Sequence, residues 1–173
     1  TIYGAMKYVA GEGFISGKSN CKLTSVIYGN VTNSTGSVIP LIWSAIEKNI
    51  QLNLYNGEMT RFLLDVDDAI DLIMKSIKYE GVNLIPVAKS FSIKDLFEIY
   101  KEFGLDYKIT EARTGEKIHE IMASNEEIRR MEFIKDDNVY ILHPGKDIKE
   151  LEFEQNEYSS RDCCLTKDEL YEF

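Results

Sequence analysis

The sequence predicts an α/β fold in which strands and helices alternate along the chain. Short β-rich runs at residues 23–28, 51–55 and 83–87 are separated by segments whose apolar residues have helical spacing, at 38–49 and 69–77. The sequence contains no internal repeats and no low-complexity tracts. Such alternation is typical of a layered α/β fold whose loops at the strand ends form the functional site.

Composition and charge restrict the classes of function. The 173 residues are 44% hydrophobic and 28% charged, which is typical of one soluble globular domain. The formal net charge of -9 argues against nucleic acid or an anionic membrane surface as a partner, because both bind clustered lysine and arginine. An anionic small ligand stays possible where a few of the five arginines converge.

The sequence predicts neither a membrane span nor a disulfide framework. The longest apolar run, residues 38–43, is interrupted by Pro40 and is far shorter than the roughly 20 residues that cross a bilayer. No signal peptide is visible. The cysteines, Cys21, Cys163 and Cys164, are odd in number and lack the spacing of metal ligands, so we expect no metal site and a cytoplasmic location.

The first predicted element is a helix that carries Tyr3 and Lys7. A separation of four residues places both side chains on one face of a helix, one turn apart. An ammonium beside a phenol favours the phenolate, so this pair could exchange a proton at a hydroxyl-bearing carbon. The alternative is an exposed helical turn without a catalytic role, since a single motif is only a hypothesis.

The following elements are predicted from turn residues and from the period of the apolar positions. A turn at 17–20 precedes the strand at 23–28, and polar loops at 29–30 and 33–37 lead to the helix at 38–49. Further predicted elements are a strand at 51–55, a turn at Asn56-Gly57, an extended run at 61–66, a helix opened by Asp67 and Asp68, and a buried strand at 83–87.

The remaining elements are predicted from capping residues. Ser92 and Asp95 begin a helix that Gly104 ends, and Thr166 and Glu169 cap a terminal helical turn. The other predicted elements are a strand at 107–112, a segment at 113–120 that leads into a short helix, and a last strand at 139–142 before Pro144.

Several segments match one family in order and spacing. They are Tyr3-Gly-Ala-Met-Lys7, Tyr28-Gly-Asn-Val31 with Gly36-Ser-Val-Ile-Pro40, Glu58-Met-Thr-Arg-Phe62, Arg113-Thr-Gly-Glu-Lys-Ile-His-Glu120, and the tail from Glu157 to Thr166. Over nearly all 173 residues the chain resembles the C-terminal half of extended short-chain dehydrogenase/reductases. Within that class it is most similar to the inverting UDP-N-acetylglucosamine 4,6-dehydratases of the polysaccharide biosynthesis protein family.

The resemblance implies a catalytic role for the first helix. Lys7 would hold the ribose of a bound NADP, or NAD, and lower the pKa of Tyr3. Tyr3 would exchange the proton of the sugar 4-hydroxyl while the cofactor oxidises C4, after which water leaves across C5 and C6. Both residues would therefore serve catalysis and cofactor binding.

The resemblance also implies a UDP-sugar site. Asn30 and the backbone of Ser37 and Val38 would contact the diphosphate and nucleoside, Arg61 and Arg113 would pair with phosphate oxygens, and Glu116 would accept hydrogen bonds from ribose hydroxyls. Simpler alternatives exist for these positions and for His119. Asn30 could be a turn residue, and Arg61 could cover a sheet edge. Arg113 and Glu116 could form a surface ion pair, and His119 could be a helix-start residue satisfied by backbone.

Three functional regions follow from the resemblance. Residues 1–50 would be the C-terminal part of a Rossmann-like domain, residues 51–145 mainly the UDP-sugar subdomain, and residues 146–173 a short C-terminal extension. The chain opens in a helix without an initiator methionine, so we expect a C-terminal piece of a longer enzyme. The glycine-rich dinucleotide loop would belong to a missing N-terminal half, and the intact enzyme would be a homo-oligomer.

Two other functions stay open. A UDP-hexose 4-epimerase shares the tyrosine and lysine pair and the UDP contacts, although the segments at 58–62 and 113–120 favour the dehydratase. A non-catalytic module that binds nucleotide sugars or mediates oligomerisation is the alternative from another class.

Overall fold

The computed structural model describes residues 2–111, 115–145 and 156–173, apart from the side chain of Tyr3. The predicted phosphate ligand Arg113 and much of the predicted C-terminal extension lie outside the described residues. In the described ranges the helices are α1 (Ile2–Ile15), α2 (Val38–Lys48), α3 (Val66–Ser76), α4 (Ile93–Lys101), α5 (Asn125–Ile128) and α6 (Lys167–Glu172). The strands are β1 (Ser25–Val26), β2 (Leu52–Tyr55), β3 (Thr60–Leu63), β4 (Asn83–Pro86), β5 (Lys89–Ser92), β6 (Tyr107–Thr110), β7 (Ile121–Ala123), β8 (Met131–Ile134), β9 (Val139–Leu142) and β10 (Tyr158–Ser159).

The chain divides into two compact units, and each is built from separate stretches of sequence. Unit 1 contains Thr1–Tyr28, Asp67–Val87 and Ile121–Tyr158. Unit 2 contains Gly29–Val66, Ala88–Glu120 and Ser159–Phe173. The predicted boundaries after residues 50 and 145 divide the chain by function rather than by contacts, and they stay a prediction.

Unit 1 is organised around a mixed sheet with the strand order β1-β4-β9-β8. The β1–β4 pair is parallel, whereas β4–β9 and β8–β9 are antiparallel. All four residues of β4 are buried, as predicted for the run at 83–87. Leu72 of α3 packs with Leu84 and Ile141 in the core of the unit. The apolar period of α3 therefore places one helix face on the sheet.

Helix α1 packs closely on this sheet near its C-terminal end. A Cβ on Gly11 would lie 3.3 Å from the Oγ of Ser25, which leaves little room for a larger residue. The Nδ2 of buried Asn83 donates a hydrogen bond of 3.0 Å to the Oε1 of Glu12. The close approach and this polar contact fix the helix that carries Tyr3 and Lys7 on the sheet of unit 1.

In the described ranges unit 2 contains two strand pairs and an apolar core. Strands β2 and β6 pair in parallel, and β3 and β5 pair antiparallel. Helices α2 and α4 contribute Ile42, Leu96 and Phe97 to a core that also includes Leu54 of β2. The Oγ of Ser92 accepts a hydrogen bond from the backbone N of Asp95, as predicted for the start of α4.

In the C-terminal half, the start of α6 agrees with the prediction, whereas the strands differ from it. Thr166 and Glu169 form the predicted capping box of α6. The predicted short helix after residues 113–120 is wrong in position, because Ile118 O accepts a bond from Thr60 N and the segment continues into β7 before α5 begins. Strand β9 is confirmed, but it is followed by β10 and is therefore not the last strand.

Candidate functional site

Unit 2 contains a cavity of about 230 Å³. Apolar side chains from β2, the β2–β3 turn, β5 and α4 form most of its wall: Leu54, Tyr55, Met59, Phe91, Ile93 and Phe97. Polar and backbone groups reach it from the loop before α2 and from β3. Four residues that the sequence predicts to bind substrate line this cavity: Asn30, Ser37, Val38 and Arg61.

Contacts with Leu64 order the loop that precedes α2. Val31 forms a parallel bridge with Leu64, and both the backbone N and the Oγ1 of Thr32 donate to Leu64 O, at 2.8 and 2.9 Å. Gly36 has a φ of 80°, a conformation that favours glycine, immediately before α2. Together these features place Asn30 and the first turn of α2 at the cavity.

Ser37 is the most informative residue of this loop. It occupies the N-cap of α2, yet its side chain makes no capping hydrogen bond. Its Oγ is buried and has no hydrogen-bond partner within the described residues. A buried hydroxyl without a partner is unfavourable unless a ligand or water completes it. The cavity wall therefore offers an unsatisfied polar group beside backbone N–H groups at a helix N-terminus, where anions bind.

Arg61 brings positive charge to the cavity from β3. Its Nη1 donates to Thr60 O at 2.8 Å and to Ile118 O at 3.1 Å. Its Nη2 donates to Glu116 Oε1 at 2.9 Å, and its Nε lies 3.8 Å from Glu120 Oε1. The Arg61 side chain is only 14% exposed. The guanidinium is thus positioned by backbone and carboxylate groups at once.

Glu116, which the sequence predicts to bind ribose, lies next to Arg61. The predicted surface pair between Arg113 and Glu116 concerns a residue outside the described ranges, whereas Arg61 and Glu116 form an ion pair in the structure. Gly115, with a φ of 84°, turns the chain just before Glu116. The segment that contains Glu116 is therefore adjacent to the strand that contains Arg61.

A buried polar network behind β3 gave no signal in the sequence. Thr60 Oγ1 lies 2.9 Å from His119 Nδ1 and 2.7 Å from Ser160 Oγ. Ser160 Oγ also accepts from Glu120 N at 2.9 Å, and Glu120 Oε2 accepts from Phe62 N at 3.0 Å. The network joins residues about a hundred positions apart, so no local pattern could predict it. The His119 side chain therefore contacts the side chain of Thr60, whereas the simpler alternative had it satisfied by backbone.

The predicted acid/base pair lies in unit 1. Tyr3 and Lys7 both belong to α1, which gives them the helical spacing that the prediction requires. The side chain of Lys7 is exposed, and that of Tyr3 lies outside the described atoms. The structure thus places the two residues one helical turn apart, and their roles stay predictions.

Other reactive groups of the described residues do not assemble into a second centre. His, Cys, Asp and Glu side chains there form no group of three that could hold a metal ion. Cys163 is half-buried, and burial raises the pKa of its thiol, whereas Cys164 is exposed. Every helix in the described ranges is too short or too polar to cross a bilayer.

The polysaccharide biosynthesis protein family matches residues 1–143, so the chain belongs to this family. A UDP-N-acetylglucosamine 4,6-dehydratase (inverting) of Campylobacter jejuni is 31% identical over 153 residues, which are 83% of this chain and 45% of the relative. The chain spans about half the length of the curated relatives that it matches.

Two solved structures share the fold. Pen from Bacillus thuringiensis has a TM-score of 0.84 and 26% identity, covering 98% of this chain and 55% of that protein. A UDP-N-acetylglucosamine 4-epimerase of Methanobrevibacter ruminantium, solved with UDP-N-acetylmuramic acid, has a TM-score of 0.53 and 27% identity, covering 67% and 42%. The predicted α/β fold of the extended dehydrogenase/reductase class is therefore confirmed.

Proposed function

We propose that the chain is part of a nucleotide-sugar 4,6-dehydratase that converts UDP-N-acetylglucosamine to a 4-keto-6-deoxy sugar nucleotide with inversion at C5. The observation that carries this proposal is the cavity of unit 2, where Asn30, Ser37, Val38 and Arg61 converge. Similarity to a dehydratase with this substrate, over 83% of the chain, supports the choice of reaction.

Ser37 and Arg61 of the cavity, together with Arg113 and Glu116, contact the nucleotide in this proposal. The diphosphate accepts hydrogen bonds from the first turn of α2 and from Ser37 Oγ, which provides the partner that this buried hydroxyl lacks within the described residues. Arg61 pairs with a phosphate oxygen, assisted by Arg113, and Glu116 accepts from the ribose hydroxyls. The apolar wall formed by Phe91, Phe97 and their neighbours excludes water from the bound nucleotide.

The chemical step is assigned to α1. A bound NADP, or NAD, supplies reversible oxidation at the sugar C4. Tyr3 takes and returns the proton of the 4-hydroxyl, and Lys7 binds the cofactor ribose and supplies the positive charge that favours the phenolate. We also propose that catalysis needs a dinucleotide-binding half that these 173 residues do not include, so this chain alone does not turn over.

A UDP-hexose 4-epimerase is the second candidate. The fold shared with the UDP-N-acetylglucosamine 4-epimerase of Methanobrevibacter ruminantium, which was solved with UDP-N-acetylmuramic acid, favours it. Mass spectrometry of the sugar nucleotide separates the two reactions, because dehydration removes one water, about 18 mass units, whereas epimerisation leaves the mass unchanged. A non-catalytic module that binds nucleotide sugars would leave the substrate unmodified even with its missing half present.

The setting of the enzyme is proposed from the resemblance alone. The product would serve the biosynthesis of surface polysaccharide, the complete enzyme would be a homo-oligomer, and its location would be the cytoplasm. Neither nucleic acid nor a metal ion takes part in this proposal.

Titration calorimetry of the 173-residue chain with UDP tests the binding site. A hydrogen bond to a charged group contributes about 1.5–3 kcal/mol, so we expect Arg61→Ala to weaken UDP binding by about 10- to 150-fold. Arg161→Ala is the matched control, since Arg161 is 58% exposed and pairs with Asp162 instead of lining the cavity. Equal affinities for the two variants would contradict the proposed phosphate contact.

A further inference from the structure

The adjacent residues Cys163 and Cys164 have no role in the proposed function, and with the other described residues they form no metal site. Their thiols donate to the carbonyls four residues earlier, to Ser159 O at 3.6 Å and to Ser160 O at 3.2 Å. The Oγ of buried Ser90 lies 3.3 Å from Cys164 Sγ. Burial raises the pKa of the Cys163 thiol, and a hydrogen bond with the same serine offsets part of this rise. The two sulfurs therefore converge on one hydroxyl.

The two thiols differ in their access to solvent. Cys164 is exposed, whereas Cys163 is half-buried. The thiolate is the form that reacts with oxidants, and its reactivity depends on exposure. An oxidant from solvent therefore meets Cys164 first. Cys163, one residue away, is then placed to attack the modified sulfur.

We infer that Cys163 and Cys164 form a redox-active dithiol that a small disulfide, such as oxidised glutathione, converts reversibly to a disulfide between the two residues. The Cys164 thiolate attacks one sulfur of the small disulfide, so a mixed disulfide forms at Cys164 and one small thiolate leaves. The Cys163 thiolate then attacks Cys164 Sγ, so the bond between the two cysteines forms and the second small thiolate leaves. Two cysteine thiols are oxidised, one small disulfide is reduced to two thiols, and the two cysteine protons pass to those thiols.

The adjacency of the two cysteines makes this disulfide easy to reduce. Neighbouring Cα atoms are about 3.8 Å apart across a trans peptide, whereas disulfide-bonded cysteines usually have Cα atoms about 4.4–6.8 Å apart. A bond between Cys163 and Cys164 therefore stores strain, and strained disulfides are the labile ones. Transient oxidation of this kind fits the cytoplasmic location proposed above, where lasting disulfides are rare.

The same two residues join the C-terminal segment to β5. Ser90 N donates to Cys163 O at 3.0 Å, and Leu165 N donates to Ser90 O at 2.8 Å. Closing a ring between adjacent cysteines changes the backbone angles of both, so these bonds to Ser90 cannot persist unchanged. Phe91, the next residue of β5, lines the cavity, so oxidation should loosen the cavity wall and weaken UDP binding. This last effect rests on the proposed function, whereas the dithiol chemistry does not.

Treatment of the 173-residue chain with oxidised glutathione, followed by peptide mass spectrometry, tests the dithiol. We expect the peptide that contains both cysteines to lose two hydrogens, about 2 mass units, and to regain them with dithiothreitol. In Cys163→Ser the reaction should stop at a glutathione adduct on Cys164. Cys21 is the matched control, because it is exposed and has no adjacent cysteine, so it should keep its adduct. A Cys164 adduct that persists in the unsubstituted chain, or a Cys164 that stays reduced while Cys21 reacts, would overturn the inference.

Titration calorimetry with UDP tests the coupling to the cavity. The oxidised chain should bind UDP about 2- to 10-fold more weakly than the reduced chain, which is the scale of one net hydrogen bond. A variant with both Cys163→Ser and Cys164→Ser cannot close the ring, so its UDP affinity should not respond to the oxidant. Equal affinities of the oxidised and reduced chains would contradict the coupling. Failure of the reduced chain to bind UDP would instead refute the proposed function, while mass spectrometry still decides the dithiol.

Discussion

Helix α1 and the cavity of unit 2 carry the two halves of the proposed function, and they differ in how they are built. On α1, the motif needs only a helix, since Tyr3 and Lys7 are four residues apart. The same helix exposes the apolar side chains of Ile2, Met6 and Val9. The cavity instead needs segments from residue 30 to residue 97 and already contains its polar groups. The proposed chemistry therefore rests on a local sequence pattern, whereas the proposed binding site depends on packing between distant segments.

The largest expected effect tests the α1 side of this comparison. In the complete enzyme Tyr3→Phe removes the proposed acid/base group and keeps the ring, so we expect turnover to fall by about 10²–10⁴-fold. Tyr8→Phe, at an exposed tyrosine of the same helix, should retain activity. The rate at which the 4-keto-6-deoxy product appears, measured by mass spectrometry, decides between them. Similar rates for the two variants would assign the proton transfer to another group.

The next prediction concerns the scaffold of the cavity in unit 2. Ser160 is fully buried, and its Oγ bonds to Thr60 and to the backbone of Glu120. Ser160→Ala leaves buried polar groups without a partner, so the free energy of unfolding should fall by about 1–3 kcal/mol. UDP binding should weaken as well, because Thr60 and Glu120 flank Arg61. Denaturant unfolding and calorimetry measure the two effects.

The adjacent Ser159 supplies the control for that experiment. It is equally buried, but its Oγ accepts a longer bond of 3.4 Å from Arg161 N. We therefore expect Ser159→Ala to change stability less and to leave UDP affinity unaltered. If the two alanine variants behave alike, the network behind β3 does not position the cavity arginine.

The sequence predicted the helices better than the strands, and it singled out polar residues that line the cavity better than the apolar residues of its wall. Helix α2 and the caps of α4 and α6 follow from local propensity and capping, which a single sequence displays. Strands β5 and β8 were missed, because each is short and owes its existence to a partner strand.

The members of the site follow the same rule. Asn30, Ser37 and Arg61 stand in motifs with recognisable neighbours, so the sequence could single them out. Phe91 and Phe97 line the cavity with the spacing of ordinary core residues, and Ser160 reaches Thr60 only through the tertiary fold. The residue types within a motif can be read from the sequence, whereas the shape of the cavity wall and the long-range hydrogen bonds depend on tertiary packing.

The smallest expected effect concerns the charged cluster around Asp137 in unit 1, which contrasts with the Arg61–Glu116 pair of unit 2. Asp137, in the turn between β8 and β9, accepts from Lys78 and, at 2.5 Å, from the hydroxyl of Tyr79. Hydrogen bonds from Lys78 and Tyr79 lower the pKa of the Asp137 carboxyl, while burial and Asp137 raise the pKa of Tyr79 to about 12. These contacts connect the turn to the residues that directly follow α3. We assign them a structural role only.

The signs of these shifts set the pH dependence of stability. Because the folded pKa of Asp137 is lowered, its contribution is present above the unfolded value of about 4 and is lost as pH falls through the folded pKa. Because the folded pKa of Tyr79 is raised to about 12, its contribution is present below about 10 and is lost as pH rises through 12. In a plot of the free energy of unfolding against pH, Asp137→Asn should therefore flatten the acid limb, and Tyr79→Phe should flatten the alkaline limb. Asp136→Asn, at an exposed neighbour, is the control and should change the acid limb less. None of these variants should alter UDP affinity, because neither Asp137 nor Tyr79 lines the cavity of unit 2. A weakened UDP titration in Asp137→Asn would contradict this prediction.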